Sequence, residues 1–243
     1  MRIKVINPNT TLEMTKSIEQ AAKHGAREDT EILAVSPKMG PISIESYYDE
    51  YLSIPGVLEE IKNGEEEGVD AFVIACWGDP GLHAAREMTD KPVVGIAEAS
   101  LYLASMLAAR FSVVTVLPRI KTMLEELVDS YGMGKKVANI RTTPLCVIDF
   151  EKDPERGMAM LKEEGKRAIE EDHAEAILLG CAGMADFADS LEKEFGVPVI
   201  DGVVAGVKFA EVLVDLGKKT SKLKTYKYPE KKEYTGILSQ FTQ

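Results

Sequence analysis

The chain has 243 residues, 45% of them hydrophobic and 28% charged, and a formal net charge of −11. That is the composition of an ordinary globular protein, long enough for one large or two small domains and a sizeable core. No apolar run approaches the ~20 residues of a membrane span, and the acidic excess disfavours a phosphate-neutralising face, so neither membrane nor nucleic acid is expected as a partner.

The N-terminal "MRIKVINPN" enters an apolar strand at once, without the basic and apolar regions of a secretory leader, and a cytoplasmic location is expected. "TLEMTKSIEQAAKHGA" has helical spacing, "TEILAVSP" reads as a strand, and "GVLEEIKNGEEEG" as a helix ending near its glycine. "DAFVIACWG" is nearly continuous in apolar residues, as a strand buried on both faces is. Helix follows at "PGLHAAREMTD", strand at "PVVGIAE", helix at "ASLYLASMLAA" and strand at "RFSVVTVLP". The second part repeats the alternation: helix at "KTMLEELVDSYG", strand at "PLCVIDF", a long helix at "GMAMLKEEGKRAIEED", strand at "AEAILLGC", helix at "ADFADSLEKEFG", strand at "PVIDGV" and helix at "VAGVKFAEVLVDLG". Such alternation predicts an α/β fold of parallel strands covered by helices.

The order of motifs repeats as well. Cys76 ends one strand, and Pro92 opens "KPVVGIAEAS" sixteen residues later; Cys181 ends another, and Pro198 opens "VPVIDGVVAG" seventeen residues later. "RIKVINPNT" precedes the first cysteine much as "RFSVVTVLPR" precedes the second. The prediction is two pseudo-symmetric, flavodoxin-like parallel-sheet halves, residues 1–98 and 99–217. The final helix, about 203–216, packs back onto the first half, and a tail occupies 218–243. This tail is locally basic, with seven lysines against two glutamates from Leu216 onward, and is expected to dock on its own acidic body, the late "YTGILSQF" supplying apolar anchors.

The three cysteines are widely separated and form no C-x-x-C pair, and His24, His83 and His173 lie at no zinc-ligand spacing, so free thiols and no metal site are expected. In open α/β sheets ligands sit beyond the carboxyl ends of the strands. Two equivalent halves facing each other would therefore present Cys76 and Cys181 from opposite sides of one cleft. A thiolate is a base as well as a nucleophile, and nearby helix-start N–H groups favour it. A thiolate on one face of a carbon acid and a thiol on the other form an acid/base pair that inverts a stereocentre in either direction. Cys146, inside "PLCVIDF" with no counterpart in the other half, is read as core.

"INPNT", "GPISIES", "CWGDPGLHAARE", "FSVVTVLPR", "LGCAGM" and "DGVVAGVKFAE", in this order, resemble the hydantoin racemases of the aspartate/glutamate racemase superfamily, close to the allantoin racemases, and the resemblance runs over nearly the whole chain. It implies cofactor-independent, two-base racemisation of a small cyclic ureide, a 5-substituted hydantoin, with Cys76 and Cys181 as the catalytic pair, in a homo-oligomer. Amino-acid racemases of that superfamily typically follow the first cysteine with Asn-Thr and the second with Thr. Here the followers are Trp77-Gly78 and Ala182-Gly183, an aromatic and backbone amides suited to a neutral ring. Trp77 stands where phenylalanine is expected, and His83 where an acidic residue is more usual; His83 is read as a helix-surface residue. Asn9, after Asn7 and before Thr10 at the end of the first strand, and Thr115 at its counterpart are expected to touch substrate. So are Ser43 and Ile44 on the "GPISIES" loop. Tyr47, Tyr48 and Tyr51 read as a lid or a subunit contact, and Asp79 and Asp186 as helix caps. The alternatives are allantoin or free aspartate or glutamate as substrate, a noncatalytic binding protein of duplicated lobes, and a hydrolase or decarboxylase using one cysteine.

Overall fold

The computed structural model describes residues 1–242. In chain order the first half comprises β1 (Arg2–Ile6), α1 (Leu12–Gly25), β2 (Glu31–Val35), α2 (Tyr47–Glu67), β3 (Ala71–Ile74), α3 (Leu82–Met88), β4 (Val93–Gly95) and α4 (Ile96–Leu107). The second comprises β5 (Phe111–Thr115), α5 (Lys121–Ser130), β6 (Val137–Thr142), α6 (Asp149–Lys152), α7 (Pro154–Glu170), β7 (Ile177–Leu179), α8 (Ala188–Phe195), β8 (Val199–Asp201) and α9 (Gly202–Asp215), with 3-10 turns at Pro118–Ile120 and Ala182–Phe187.

The strands form two separate four-stranded sheets, β2-β1-β3-β4 and β6-β5-β7-β8. Every pairing is parallel. The second order is the first with each strand advanced by four, and both follow the flavodoxin-type pattern that reverses direction beside the first strand. The expected α/β architecture of two equivalent halves is therefore present. Register makes the equivalence residue-specific. Ile74 pairs with Gly95 on one sheet, and Leu179 with Asp201 on the other. Cys76 and Cys181 each lie two residues beyond those strand ends, and Gly95 is the counterpart of Asp201.

The last helix of each half reaches the other. α4 follows the first sheet and packs against β7 and β8, while α9 follows the second sheet and packs against β3 and β4. Small residues permit the crossing: a Cβ on Gly206 would lie 2.9 Å from Val73, and one on Gly202 3.0 Å from the Ile96 carbonyl oxygen. Glu211 fixes α9 to the first half by accepting from the Arg27 N–H at 2.8 Å and the Thr30 hydroxyl at 2.7 Å. One continuous apolar core runs from Ile3 and Val5 through α4 and α9 to Leu178 and Leu191.

Two elements differ from the sequence reading. The strand expected at "PLCVIDF" lies instead at Val137–Thr142, and residues 143–148 are a loop. Pro144 has no N–H to give a ladder, and the Cys146 N–H is taken by Asp149 Oδ2 at 2.9 Å. Cys146 is thus a half-buried loop residue rather than core. α2 begins at Tyr47, nine residues before the expected start, with Ser46 capping it through the Asp49 N–H and Pro55 accommodated inside it.

Candidate active site

The site is assembled where the carboxyl ends of both sheets meet. Beyond β1, Asn9 Oδ1 accepts from the Asn7 amide and from the Thr11 N–H, each at 2.9 Å. The turn is thereby rigid, and the Asn9 amide nitrogen is left against only the Met14 sulfur at 3.0 Å. Thr10 and Thr11 hold the next loop over it: the Thr10 N–H donates to the Pro41 carbonyl at 2.9 Å and the Thr11 hydroxyl to that of Ile42 at 2.7 Å. This loop brings Ile44 inward and then crosses to the second half. Glu45 Oε1 accepts from the Val147 N–H at 3.0 Å, and the Tyr47 hydroxyl donates to Glu126 on α5 at 2.7 Å. Residues 44–47 form a clasp across the cleft. Tyr48 and Tyr51 on the same helix face point to solvent, Tyr48 at 74% exposure.

Cys76 and Cys181 line one narrow cavity of about 40 Å³, with Asn9, Ile44, Trp77, Gly78 and Ala182 of the expected residues around them. Met14, Ala75, Val116, Ile120, Met123, Leu124, Val147 and Gly180 complete its wall. Ser43, Thr115 and Gly183 are not on that wall. Thr115 is fully buried, and its hydroxyl donates to the Gly180 carbonyl at 2.8 Å, tying β5 to the loop that carries Cys181. Trp77 presents its ring, while its indole N–H is spent on Ser100 Oγ at 3.1 Å.

The electrostatics of the two thiols are alike. Burial pushes Cys76 well above the ordinary thiol range; the Gly78 N–H opposes this, and Cys181, Glu50 and Asp79 add to it. Burial pushes Cys181 up to about 11, opposed by the Gly183 N–H and reinforced by Glu151 and Glu45. Each thiol therefore has one backbone N–H that favours its anion, two residues further along the chain, within a low-dielectric pocket that keeps it protonated at rest.

Asp79 is a helix cap, but of a different helix from its own. Its carboxylate accepts from the Ala97 and Glu98 N–H groups of α4 at 3.0 and 2.9 Å, and from the Tyr131 hydroxyl of α5 at 2.7 Å. Burial raises it to about 7 against the pull of those three donors. The second half reaches the same result differently: Asp201 caps α9 itself, through the Val203 and Val204 N–H groups at 3.1 and 2.8 Å. Asp186, the other expected cap, accepts no side-chain hydrogen bond among the described residues. A Cβ on Gly95 would fall 2.2 Å from the Asp79 carboxyl carbon, so Asp79 occupies the space that the side chain of Asp201 fills in the other half.

The tail docks only in part. Lys219 pairs with Asp90 at 2.7 Å, Lys222 Nζ donates to the carbonyls of Arg86 and Glu87 at the end of α3 at 2.5 and 3.1 Å, and the Tyr226 hydroxyl meets His83 Nδ1 at 2.8 Å. His83 thus helps seat the tail. "YTGILSQF" anchors only partly: Tyr234 and Phe241 are half-buried and share a groove with α2 and α3, while Ile237 is 93% exposed. Glu45, Glu50 and Glu151, which press on the thiols, escaped the sequence reading because a carboxylate remote in sequence carries no spacing signal.

Comparison with known proteins agrees with this architecture. A family model described as Asp/Glu/Hydantoin racemase matches residues 3–210. A hydantoin racemase of Pseudomonas sp. (strain NS671) is 84% identical over 99% of this chain and 97% of its own length. The hydantoin racemase of Rhizobium meliloti is 48% identical, with 97% and 98% covered. The structure of an allantoin racemase from Klebsiella pneumoniae superimposes with a TM-score of 0.97 at 47% identity, covering 100% of this chain and 99% of that one. Two parallel sheets in matched order, a cysteine beyond the third strand of each, and this extent of similarity have one meaning: the chain belongs to the Asp/Glu/hydantoin racemase family.

Proposed function

We propose that the protein is a cofactor-independent racemase that inverts C5 of 5-substituted hydantoins by two-base proton transfer between Cys76 and Cys181. The observation that carries this reading is the placement of two pseudo-equivalent thiols on the wall of one cavity. One cysteine, as thiolate, takes the C5 proton; the electron pair passes into the adjacent ring carbonyl, giving an enolate. The thiol of the other cysteine then protonates the opposite face of C5. The ring's own carbonyl is the electron sink. The Gly78 and Gly183 N–H groups stabilise whichever sulfur is anionic. Asn9, whose amide N–H has only a thioether partner, donates to a ring carbonyl, and Trp77 and Ile44 hold the apolar face of the ring. Entry of a ring into so small a cavity requires the 44–47 clasp to part.

A second reading, allantoin as substrate, is favoured by the allantoin racemase from Klebsiella pneumoniae at TM-score 0.97. The 84% identity to a hydantoin racemase supports the first. We also place the protein in the cytoplasm, on its three unpaired cysteines, and read it as a homo-oligomer. Met106 and Leu107 at the end of α4, and separately Val212 and Leu216 at the end of α9, are exposed apolar residues available for such contacts. The experiment that decides is incubation of single enantiomers of an alkyl-substituted hydantoin and of allantoin, with and without a chelator, followed by chiral chromatography. Racemisation of the alkylhydantoin, unchanged by chelation, is expected. A protein that racemises allantoin alone replaces the first reading with the second.

A further inference from the structure

The clasp and the helix turn that follows it direct one acidic residue toward each thiol. Glu45 accepts from the Val147 N–H at 3.0 Å, and Val147 is part of the cavity wall. Glu50, on the first turn of α2, reaches the Cys76 side: its Oε2 lies 3.0 Å from where a Cβ on Gly78 would sit, and that oxygen is buried with no hydrogen-bond partner. Glu151 adds a second buried, unpartnered carboxylate oxygen near Cys181. The charged side chains that press most on the thiols are acidic: Glu50 and Asp79 on Cys76, Glu151 and Glu45 on Cys181. Among the described residues, no Lys, Arg or His lines the cavity. Beyond Gly78 and Met123, which it shares with the cavity, an outer pocket of about 350 Å³ adds Glu126 to Glu50 and Asp79, with His83, whose Nδ1 is engaged by the Tyr226 hydroxyl, as its one basic side chain among the described residues. The Arg86 guanidinium on α3 is already paired with Glu98 at 2.5 Å. Burial raises Glu50 and Asp79 to about 7, so above that pH both are ionised and a further negative charge brought there meets like charges at low dielectric.

We propose that Glu45 and Glu50 set the charge specificity of this site: it takes ureide rings whose substituent is neutral and turns away rings, and free amino acids, that carry a side-chain carboxylate. This rests on the racemase reading and narrows it. The discrimination comes from repulsion built against the wrong substrate rather than from an added attraction to the right one.

The test uses two rings of nearly equal size, 5-(2-carboxyethyl)hydantoin and 5-(2-carbamoylethyl)hydantoin, with wild type, Glu45→Gln and Glu50→Gln at pH 8. Glutamine keeps the acceptor for Val147 and the volume beside Gly78 while removing the charge. Wild type is expected to favour the amide at least a hundredfold in kcat/KM, and each variant to narrow that ratio about tenfold. Both rings are also titrated calorimetrically into wild type, so that charge preference is read without turnover or mutation. Equal use and equal binding of the two rings by wild type would overturn the proposal, as would a ratio unchanged in both variants. Wild type that binds the amide ring selectively but racemises neither ring would sink the racemase reading and uphold this one.

Discussion

Gly95 and Asp201 occupy equivalent positions at the starts of α4 and α9, with φ/ψ of −87°/144° and −82°/129°. Only Asp201 caps its own helix; α4 borrows Asp79. The duplication therefore predicts that the cap can be moved. Asp79→Gly removes the acceptor for two N–H groups and for the Tyr131 hydroxyl. Loss of the cap costs about 1 kcal/mol, and a buried hydroxyl left unpaired costs about 1–3 kcal/mol more. Asp79 has φ 46°, so glycine is accommodated there, and relief of that conformation roughly offsets the added freedom of the unfolded chain. The sum is about 2–4 kcal/mol, a fall in Tm on the order of 10 °C for a chain of this length. Gly95→Asp alone forces a new side chain into space held by the Asp79 carboxylate, and is expected to be worse. Combined with Asp79→Gly, the new aspartate has the backbone of Asp201 and an empty place to fill. The double variant should then recover the cap, about 1–2 kcal/mol relative to Asp79→Gly. Thermal unfolding followed by circular dichroism measures all four proteins. A double variant no more stable than the sum of its parts would refute the claim that the two helix starts are interchangeable.

Three further outcomes are expected. Because burial holds Cys181 up at about 11 and Cys76 higher still, the thiolate fraction and hence kcat/KM should climb with pH from 6.5 to 8.5; a bell centred near 7 would speak against a thiol base. Both folded values lie above the ordinary thiol value of ~8.5, so the thiols' contribution to stability is intact below that pH and is lost as pH rises toward 11, which denaturant titrations at pH 8 and 10 would detect. Thr115→Val should cost about 1–2 kcal/mol for the buried Gly180 carbonyl left unpaired yet alter KM less than about threefold; a large loss of substrate affinity at full stability would return Thr115 to the binding site. Cys146→Ser should leave racemisation within about twofold of wild type, since this thiol lies outside the cavity, and abolished activity would require a third catalytic cysteine.

How much of this was legible follows from what each residue does. β3 and β5 are buried along their whole length, so their apolar runs read as strands directly, and the cysteines at or near such strand ends marked the cleft. β6 did not read so, because it is an edge strand with a half-polar sequence. Its Arg141 is buried among Glu164, Glu171 and Asp172, partners supplied by α7 and the turn after it, while the more apolar "PLCVIDF" nearby is a loop running into α6, stapled by Asp149 and Glu45. The start of α2 was hidden by Pro55, which signals a break but sits within the helix behind a capping Ser46. Within the site, Asn9 and Trp77 had local signals. Met123, Leu124 and Val147 reach the cavity only through tertiary packing, and Glu45 and Glu50 are indistinguishable in sequence from surface acids.

The two-base assignment is tested most directly by solvent exchange. Each enantiomer of a 5-alkylhydantoin is incubated in D2O with wild type, Cys76→Ser and Cys181→Ser, and C5 deuteration is followed by NMR alongside chiral chromatography and a protein-free control. The account predicts inversion with exchange in wild type, and in each variant exchange of one enantiomer only, opposite between the two, without inversion. Full racemisation by either variant, or loss of exchange for both enantiomers in one variant while the other stays active, would contradict it.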